Sequence, residues 1–179
     1  MKVKTLKMKM NTTKEEISEQ EVLSKQKAWG EGIVSVGKVY SAGGDYKTAA
    51  REHIKNFYNY QEGSVLFKPT MASEKQFRSD FAGALSYFIG GDQNYPEDHG
   101  FAIKPWCKVR WETIGIKVIG NTALTMGNYF FTSASAEEEL KVEYSFAYTK
   151  NCKGELKIVL HDSHLPCKNT KGTEVFVSR

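Results

Sequence analysis

Cysteine and long apolar runs are both scarce in this chain of 179 residues. Its three cysteines, Cys107, Cys152 and Cys167, cannot all pair, and their spacing matches neither a CxxC motif nor a zinc site. The longest nearly apolar run, from Phe81 to Gly91, has 11 residues and is too short to cross a bilayer. The sequence therefore predicts neither a disulfide-stabilised scaffold nor a membrane-spanning protein.

Net charge is also absent from most of the chain, although the whole sequence carries a formal charge of +4. The excess comes from four lysines within the first ten residues, where no acidic residue occurs: Lys2, Lys4, Lys7 and Lys9. The remainder has 21 basic and 21 acidic side chains, so the sequence does not predict a nucleic-acid-binding surface. Polar residues 11–16 follow the lysines, where a signal peptide would have its apolar core.

Length and composition together predict a single soluble domain. Hydrophobic residues make up 40% and charged residues 26% of the chain, which is close to the globular average. We expect residues 15–168 to form this domain, residues 1–14 a flexible basic tail and residues 169–179 a C-terminal tail. Cysteines without a disulfide framework, and the absence of an apolar leader, predict a cytoplasmic location for the chain as written.

The first half of the chain carries helix signals. Thr13 and Glu16 have the spacing of a capping box, which predicts that the first helix begins there. Apolar residues then recur at steps of three and four, and Gly43-Gly44 ends the helix. This apolar stripe consists of Trp29, Ile33, Val36 and Tyr40.

Two further helices are predicted before residue 90. Asp45 can cap the second helix, and Ser79 can cap a third that ends near Ile89, before a Gly-Gly pair. The second helix places four apolar residues on one face: Ala50, Ile54, Phe57 and Tyr58. Residues 65–67, between these helices, have the character of a short strand.

Strand-like runs fill the second half, beyond a loop rich in turn-forming residues at 91–100. Short breaks separate the runs, as in antiparallel hairpins, and one break falls at Gly115. The runs cover residues 108–113, 116–119, 123–132, 139–149 and 156–165. Helices first and strands second predict an α+β fold, in which one curved, mostly antiparallel sheet wraps around the helices and leaves a pocket.

The last strand contains the densest polar cluster, His161-Asp162-Ser163-His164. Alternation would place Val159, His161, Ser163 and Leu165 on one face, and Leu160, Asp162 and His164 on the other. Histidines on opposite faces cannot share a zinc ion, and Asp162 cannot orient His161 as a catalytic triad requires. An imidazole and a hydroxyl on one face could act on a small ligand; alternatively, the segment is a strand end that enters solvent.

Seven motifs from residue 66 onward resemble the iota-class carbonic anhydrases. In chain order they are LFKPT (66–70), EKQFR (74–78), FAGALSYFIGG (81–91), YPEDHGFAIKPW (95–106), ALTMGNYFFT (123–132), KVEYSF (141–146) and HDSHLP (161–166). This family is related to the association domain of calcium/calmodulin-dependent protein kinase. The resemblance implies an NTF2-like cone, with N-terminal helices packed on a strongly curved sheet, and a homodimer.

The resemblance also implies an activity, the reversible hydration of CO2 to bicarbonate without a metal cofactor. The positions that match the family's pocket are Thr70, Tyr87, His161 and Ser163. The three hydroxyls are expected to hold the oxygens of CO2 or bicarbonate, and His161 to accept or relay the proton. Without a metal nothing lowers the pKa of water, so the resemblance implies a slower enzyme than the zinc classes.

The last motif departs from the family, in which His-His-Ser-Ser precedes Leu-Pro. The two departures, Asp162 and His164, are expected on the strand face opposite to His161 and Ser163. The negative charge of Asp162 is expected to disfavour a bound anion. Two alternatives stay open: a non-catalytic NTF2-like module for assembly or small-ligand binding, and CO2 hydration that depends on a divalent metal such as manganese or zinc.

Overall fold

Three helices precede a run of four long strands in the computed structural model, which describes residues 16–135 and 139–167. The helices are α1 (Glu19–Ser41), α2 (Tyr46–Phe57) and α3 (Phe81–Ile89), with a short 3-10 helix at Phe101–Ile103. The strands are β1 (Leu66–Lys68), β2 (Trp106–Ile119), β3 (Thr122–Ser133), β4 (Leu140–Lys150) and β5 (Leu156–His164). Both predicted tails lie outside the described residues, and none of the described helices has the length and apolar character of a bilayer span.

Helix α1 begins later than the sequence predicts. The described residues Glu16 and Ile17 precede the helix, so the predicted start there is wrong; Thr13 lies outside the described residues. Ser18 is the N-cap, and its Oγ accepts a hydrogen bond of 3.1 Å from the backbone N–H of Glu21. Two capping-box spacings follow one another in the sequence, Thr13 with Glu16 and Ser18 with Glu21. The helix begins at the second one, because that start also buries Ile17 and Val22 on either side of the cap.

The caps of the other helices agree with the sequence to within one residue. Asp45 caps α2 as predicted, and its Oδ1 accepts from the N–H of Thr48 at 3.0 Å. Asp80, not Ser79, caps α3, and its Oδ1 accepts from the N–H of Gly83 at 2.8 Å. Gly90 ends α3 with a φ of 68°, a conformation that side-chain-bearing residues seldom adopt.

The sheet has the strand order β1-β5-β4-β3-β2. Strand β1 pairs with β5 in parallel, and every other pair is antiparallel. The predicted break at Gly115 is wrong, because β2 continues through a bulge between Thr113 and Gly115. Opposite this bulge, Gly127 approaches the carbonyl oxygen of Glu112 so closely that no Cβ would fit.

Curvature of the sheet is evident from the single side chain of Trp29, which projects from α1 and is 2% exposed. Its ring contacts an aromatic ring on each of the four long strands. The centroid distances are 5.9 Å to Trp111 on β2, 5.9 Å to Tyr129 on β3, 6.3 Å to Phe146 on β4 and 5.7 Å to His161 on β5. Adjacent strands are separated by about 4.8 Å, so one indole can reach four of them only if the sheet bends around it. The predicted α+β fold with a curved sheet around the helices is confirmed.

A second bulge corrects the predicted facing of residues on β5. The register between β4 and β5 shifts at Ala147 and Tyr148, so that Ile158 pairs with Tyr148 while Leu160 pairs with Ala147. Val159 is the extra residue and is half-buried, whereas Ile158 is fully buried. Ile158 therefore shares the inner face with His161, where simple alternation predicts Val159.

Candidate active site

Two hydroxyl side chains meet where β1 and β5 run side by side. Lys68 of β1 pairs with Asp162 of β5, and its Nζ donates to the carbonyl oxygen of Ser163 at 3.0 Å. Two residues further on, Thr70 Oγ1 lies 2.9 Å from Ser163 Oγ. Ser163 is 1% exposed, whereas Thr70 is half-buried and reaches toward the surface. The parallel pairing thus brings together two predicted site residues that are 93 positions apart.

His161 lies beneath this hydroxyl pair, in an aromatic environment. Its ring stacks on Phe146 with a centroid distance of 4.1 Å, and the residue is 2% exposed. Nδ1 lies 2.8 Å from the hydroxyl of Tyr58, and Nε2 lies 3.2 Å from that of Tyr129. Burial lowers the pKa of His161 to about 3, so the imidazole is neutral at physiological pH. Both ring nitrogens are engaged by protein groups rather than turned toward a ligand.

Tyr129 contacts the histidine and lies near the two hydroxyls. Burial raises the pKa of its phenol, and the nearby hydroxyls of Ser163 and Thr70 act in the opposite direction through hydrogen bonding. The residue projects inward from β3, where alternate positions such as Ala123 and Phe131 are also buried. The sequence-based choice of site residues missed both Tyr129 and Tyr58. Tyr58 closes the apolar face of α2, and a tyrosine hydroxyl in such a position needs a partner, which is the signal that could have identified it.

Tyr87 approaches the same place from α3. Burial raises the pKa of its phenol, while the backbone of Met71 and the hydroxyl of Thr70 lie near enough to lower it. Its hydroxyl oxygen is buried and has no hydrogen-bond partner in the part of the chain that the structure describes. Tyr87 also lines a pocket of about 310 Å³ together with Met71, His99 and Phe101. All four predicted site residues therefore belong to one neighbourhood: His161 and Ser163 from β5, Thr70 after β1, and Tyr87 from α3.

A network of charged side chains holds the loops around this pocket. The buried Arg78 donates through Nη2 to Asp98 Oδ1 at 2.9 Å, and Ser86 Oγ donates to Asp98 Oδ2 at 2.6 Å. Glu97 Oε2 accepts from the backbone N–H of Ser73 at 2.7 Å, and several such bonds lower the pKa of Glu97 to about 2. The segment that follows Thr70 is thereby joined to the loop that precedes β2.

Comparison with known proteins assigns the family. The sequence profile described as "metal-independent carbonic anhydrase" matches residues 20–165. The chain belongs to this family. A metal-independent carbonic anhydrase from Nostoc sp. is 44% identical over 153 residues, which are 84% of this chain and 74% of that protein.

Solved structures agree with this assignment. The crystal structure of an iota-carbonic anhydrase from a cyanobacterium, complexed with bicarbonate, is 41% identical with a TM-score of 0.83, covering 93% of this chain and 99% of that one. An NTF2-like superfamily protein from Salmonella enterica is 16% identical with a TM-score of 0.53, covering 87% of this chain and 95% of that one. The latter likeness concerns the fold alone, and it confirms the predicted NTF2-like architecture.

The two departures from the family's last motif lie on the outer face of β5. His164 is exposed, with its Nε2 3.1 Å from Glu143 Oε2, and Asp162 pairs across the strands with Ser145. His161, by contrast, is fully inside, so the prediction that the two histidines face opposite ways is confirmed. Asp162 acts on the site at a distance, since its charge contributes to raising the pKa of Tyr129. The altered motif leaves the inward hydroxyl pair in place.

The family of metal-independent carbonic anhydrases matches the predicted lack of a metal cofactor. Among the described residues, no group of three or more His, Cys, Asp or Glu side chains is arranged as a metal site. The polar groups around Thr70 and Ser163 are hydroxyls, one imidazole whose nitrogens are already engaged, and the ammonium group of Lys68. Such a set suits hydrogen bonding to the oxygens of a small polar molecule.

Proposed function

We propose that this protein catalyses the reversible hydration of CO2 to bicarbonate at the Thr70–Ser163 hydroxyl pair, with Tyr87 as a third hydroxyl. The observation that carries the proposal is the contact of 2.9 Å between Thr70 Oγ1 and Ser163 Oγ, beside the buried phenol of Tyr87, whose hydroxyl has no hydrogen-bond partner among the described residues. Membership of the metal-independent family supports the reaction, and the related structure with bicarbonate supports the ligand.

In the hydration step, the oxygen of water attacks the carbon of CO2. A carbon–oxygen bond forms, one C=O π pair moves onto an oxygen of CO2, and the water loses a proton to yield bicarbonate. Hydroxyls that donate to the oxygen on which charge develops stabilise the transition state, because they are already oriented and partly desolvated. The same hydroxyls hold the water and CO2 close together, which removes part of the entropic barrier. Positioning therefore replaces the lowering of the water pKa that zinc provides in other classes.

We do not assign His161 the role of proton acceptor or relay that the resemblance implies. A side chain with a pKa of about 3 holds almost no protons at neutral pH and is a weak base. Its nitrogens are also occupied by Tyr58 and Tyr129 at 2.8 and 3.2 Å. His161 is thus a positioning residue that orients Tyr129, and the proton released from water leaves to solvent and buffer through the open pocket beside Tyr87.

Stopped-flow measurement of CO2 hydration by chelator-treated protein tests this function. We expect activity above buffer in the wild type, and a decrease of about 100-fold in kcat/KM for Ser163→Ala, as for loss of one donor to a developing oxyanion. Ser145→Ala is a matched control, because Ser145 lies on the neighbouring strand opposite Asp162, on the outer face. Equal activity in Ser163→Ala and Ser145→Ala, or activity that appears only with added manganese or zinc, would refute the proposal.

We also propose that the enzyme is a homodimer formed through the outer face of β2 and β3. Leu124 and Met126 alternate with the buried Ala123 and Thr125, so they point away from the core. The same region carries Ile114, which at 77% is the most exposed large apolar side chain among the residues that the structure describes. An apolar patch of this kind on a sheet is typical of a surface that another protein covers. Light scattering at micromolar concentration should give twice the mass of one chain.

A further inference from the structure

On the interior side of the site, the first hydrogen-bond donor is the indole of Trp29. Trp29 Nε1 lies 3.1 Å from the hydroxyl oxygen of Tyr58, and both residues are at most 2% exposed. An indole nitrogen donates a hydrogen bond and cannot accept one. The direction of this first bond is therefore fixed: Trp29 donates, and the Tyr58 oxygen accepts.

Tyr58 then has one hydrogen left to place. A buried hydroxyl hydrogen needs an acceptor, and His161 Nδ1 lies 2.8 Å from the Tyr58 oxygen. If Nδ1 carried a hydrogen instead, the Tyr58 oxygen would accept twice and its own hydrogen would have no partner. The neutral imidazole therefore accepts at Nδ1 and holds its single hydrogen on Nε2.

The direction continues on the other side of the ring. Nε2–H donates to the hydroxyl oxygen of Tyr129 at 3.2 Å, so the hydrogen of Tyr129 must point away from His161. The hydroxyls of Ser163 and Thr70 lie near enough to affect the pKa of Tyr129, and they are the acceptors that we infer for this hydrogen. Each of those two hydroxyls also has a single hydrogen, and their oxygens are 2.9 Å apart. When Ser163 accepts from Tyr129 and donates to Thr70, the last hydrogen is that of Thr70, which is half-buried and therefore accessible to a ligand.

We propose that Trp29 and Tyr58 are positioning residues that set the direction of a hydrogen-bond chain running through His161 and Tyr129 to the Thr70–Ser163 pair. Because the chain starts at a group that can only donate, it ends with a hydroxyl hydrogen, not a lone pair, presented to the ligand. That polarity suits an oxygen of CO2 that becomes negative, and the anion bicarbonate. The effect on catalysis rests on the proposed function, whereas the direction of the chain can be measured without any activity.

Nitrogen-15 NMR of histidine-labelled protein tests the direction itself. We expect the wild type to show His161 with a pyridine-like Nδ1 and a protonated Nε2. Trp29→Phe removes the fixed donor, so a detectable share of His161 should change to the Nδ1–H form. Trp106→Phe is the matched control, since Trp106 is also a buried indole donor, to the carbonyl of Phe101 at 2.8 Å, but has no hydrogen bond to the chain. A wild-type Nδ1–H tautomer, or the same response in both variants, would overturn the inference.

Kinetics and binding give the second measurement. Trp29→Phe should weaken bicarbonate binding and lower kcat/KM by about fivefold, the usual effect of one neutral hydrogen bond, while Trp106→Phe keeps both values. Tyr58→Phe removes the donor to Nδ1, so part of His161 should again change to the Nδ1–H form. This variant replaces Trp29→Phe if the latter does not fold. The expected tautomer in a protein without CO2 hydration activity would support the chain and contradict the function. Normal activity with the Nδ1–H tautomer of His161 would support the function and contradict the chain.

Discussion

Two neutral histidines in the core should make this protein sensitive to mild acid. His53 and His161 are 5% and 2% exposed, and burial lowers the pKa of each to about 3. In the unfolded chain the pKa of a histidine is about 6.5, so below that pH the unfolded state binds protons that the native state does not. The free energy of unfolding therefore falls as the pH decreases from 6.5 toward 3.

The size of the effect follows from the two pKa values. At pH 5 each histidine should lower the free energy of unfolding by about 2 kcal/mol, and the pair by about 4 kcal/mol, relative to pH 7. That is a large part of the 5–15 kcal/mol that is typical of a domain, so the loss is easy to measure. Glu97, whose pKa is lowered to about 2, acts in a different window, because its contribution is lost only as the pH falls below about 4.5.

Urea unfolding between pH 7 and pH 5 is the assay, with wild type compared to His53→Leu. Neither ring nitrogen of His53 has a hydrogen-bond partner in the described part of the chain, so leucine removes the titrating group without breaking such a bond. We expect a slope of about 2.7 kcal/mol per pH unit near pH 5 for the wild type and about 1.4 for the variant. His99→Asn, at an exposed histidine, is the control. Equal slopes in wild type and His53→Leu would refute the reasoning.

Two other predictions concern the loops and the outer sheet face. Glu97→Gln should lower the free energy of unfolding at pH 7 by about 2 kcal/mol, because a neutral amide oxygen accepts hydrogen bonds from the backbone N–H groups of residues 73–75 less strongly than a carboxylate does. The difference between wild type and variant should shrink below about pH 4.5. A difference that persists there would contradict the charge argument. Met126→Glu, at a side chain 57% exposed on β3, should convert the proposed dimer to a monomer in light scattering. Leu23→Glu, at an exposed apolar position on α1, should leave the proposed dimer intact, and dissociation of both variants would argue against this interface.

Local patterns were sufficient for most of the fold. The Asp45 cap and the apolar face of α2 appear as predicted, because each depends on neighbours within a few residues. In the α1 stripe Trp29, Ile33 and Val36 are buried as predicted, whereas Tyr40 is exposed near the end of the helix. Errors occurred where two local signals competed. Thr13 and Ser18 both begin a capping-box spacing, and Gly115 is compatible with either a turn or a bulge; burial of Ile17 and pairing with β3 decided these cases.

Strand alternation was enough to place His161 and Ser163 on the same face of the last strand, with Asp162 and His164 on the other. His161 and Ser163 are two residues apart, and beyond the bulge at Val159 a strand repeats its facing every two residues. What surrounds them was decided only by tertiary structure. The parallel pairing of β1 with β5 brings Thr70 to Ser163, and the curvature of the sheet brings Trp29 and Tyr58 to the far side of His161. These partners come from segments about 90 to 130 positions away, so no local pattern contains the hydrogen bonds and the desolvation that set the protonation state of His161.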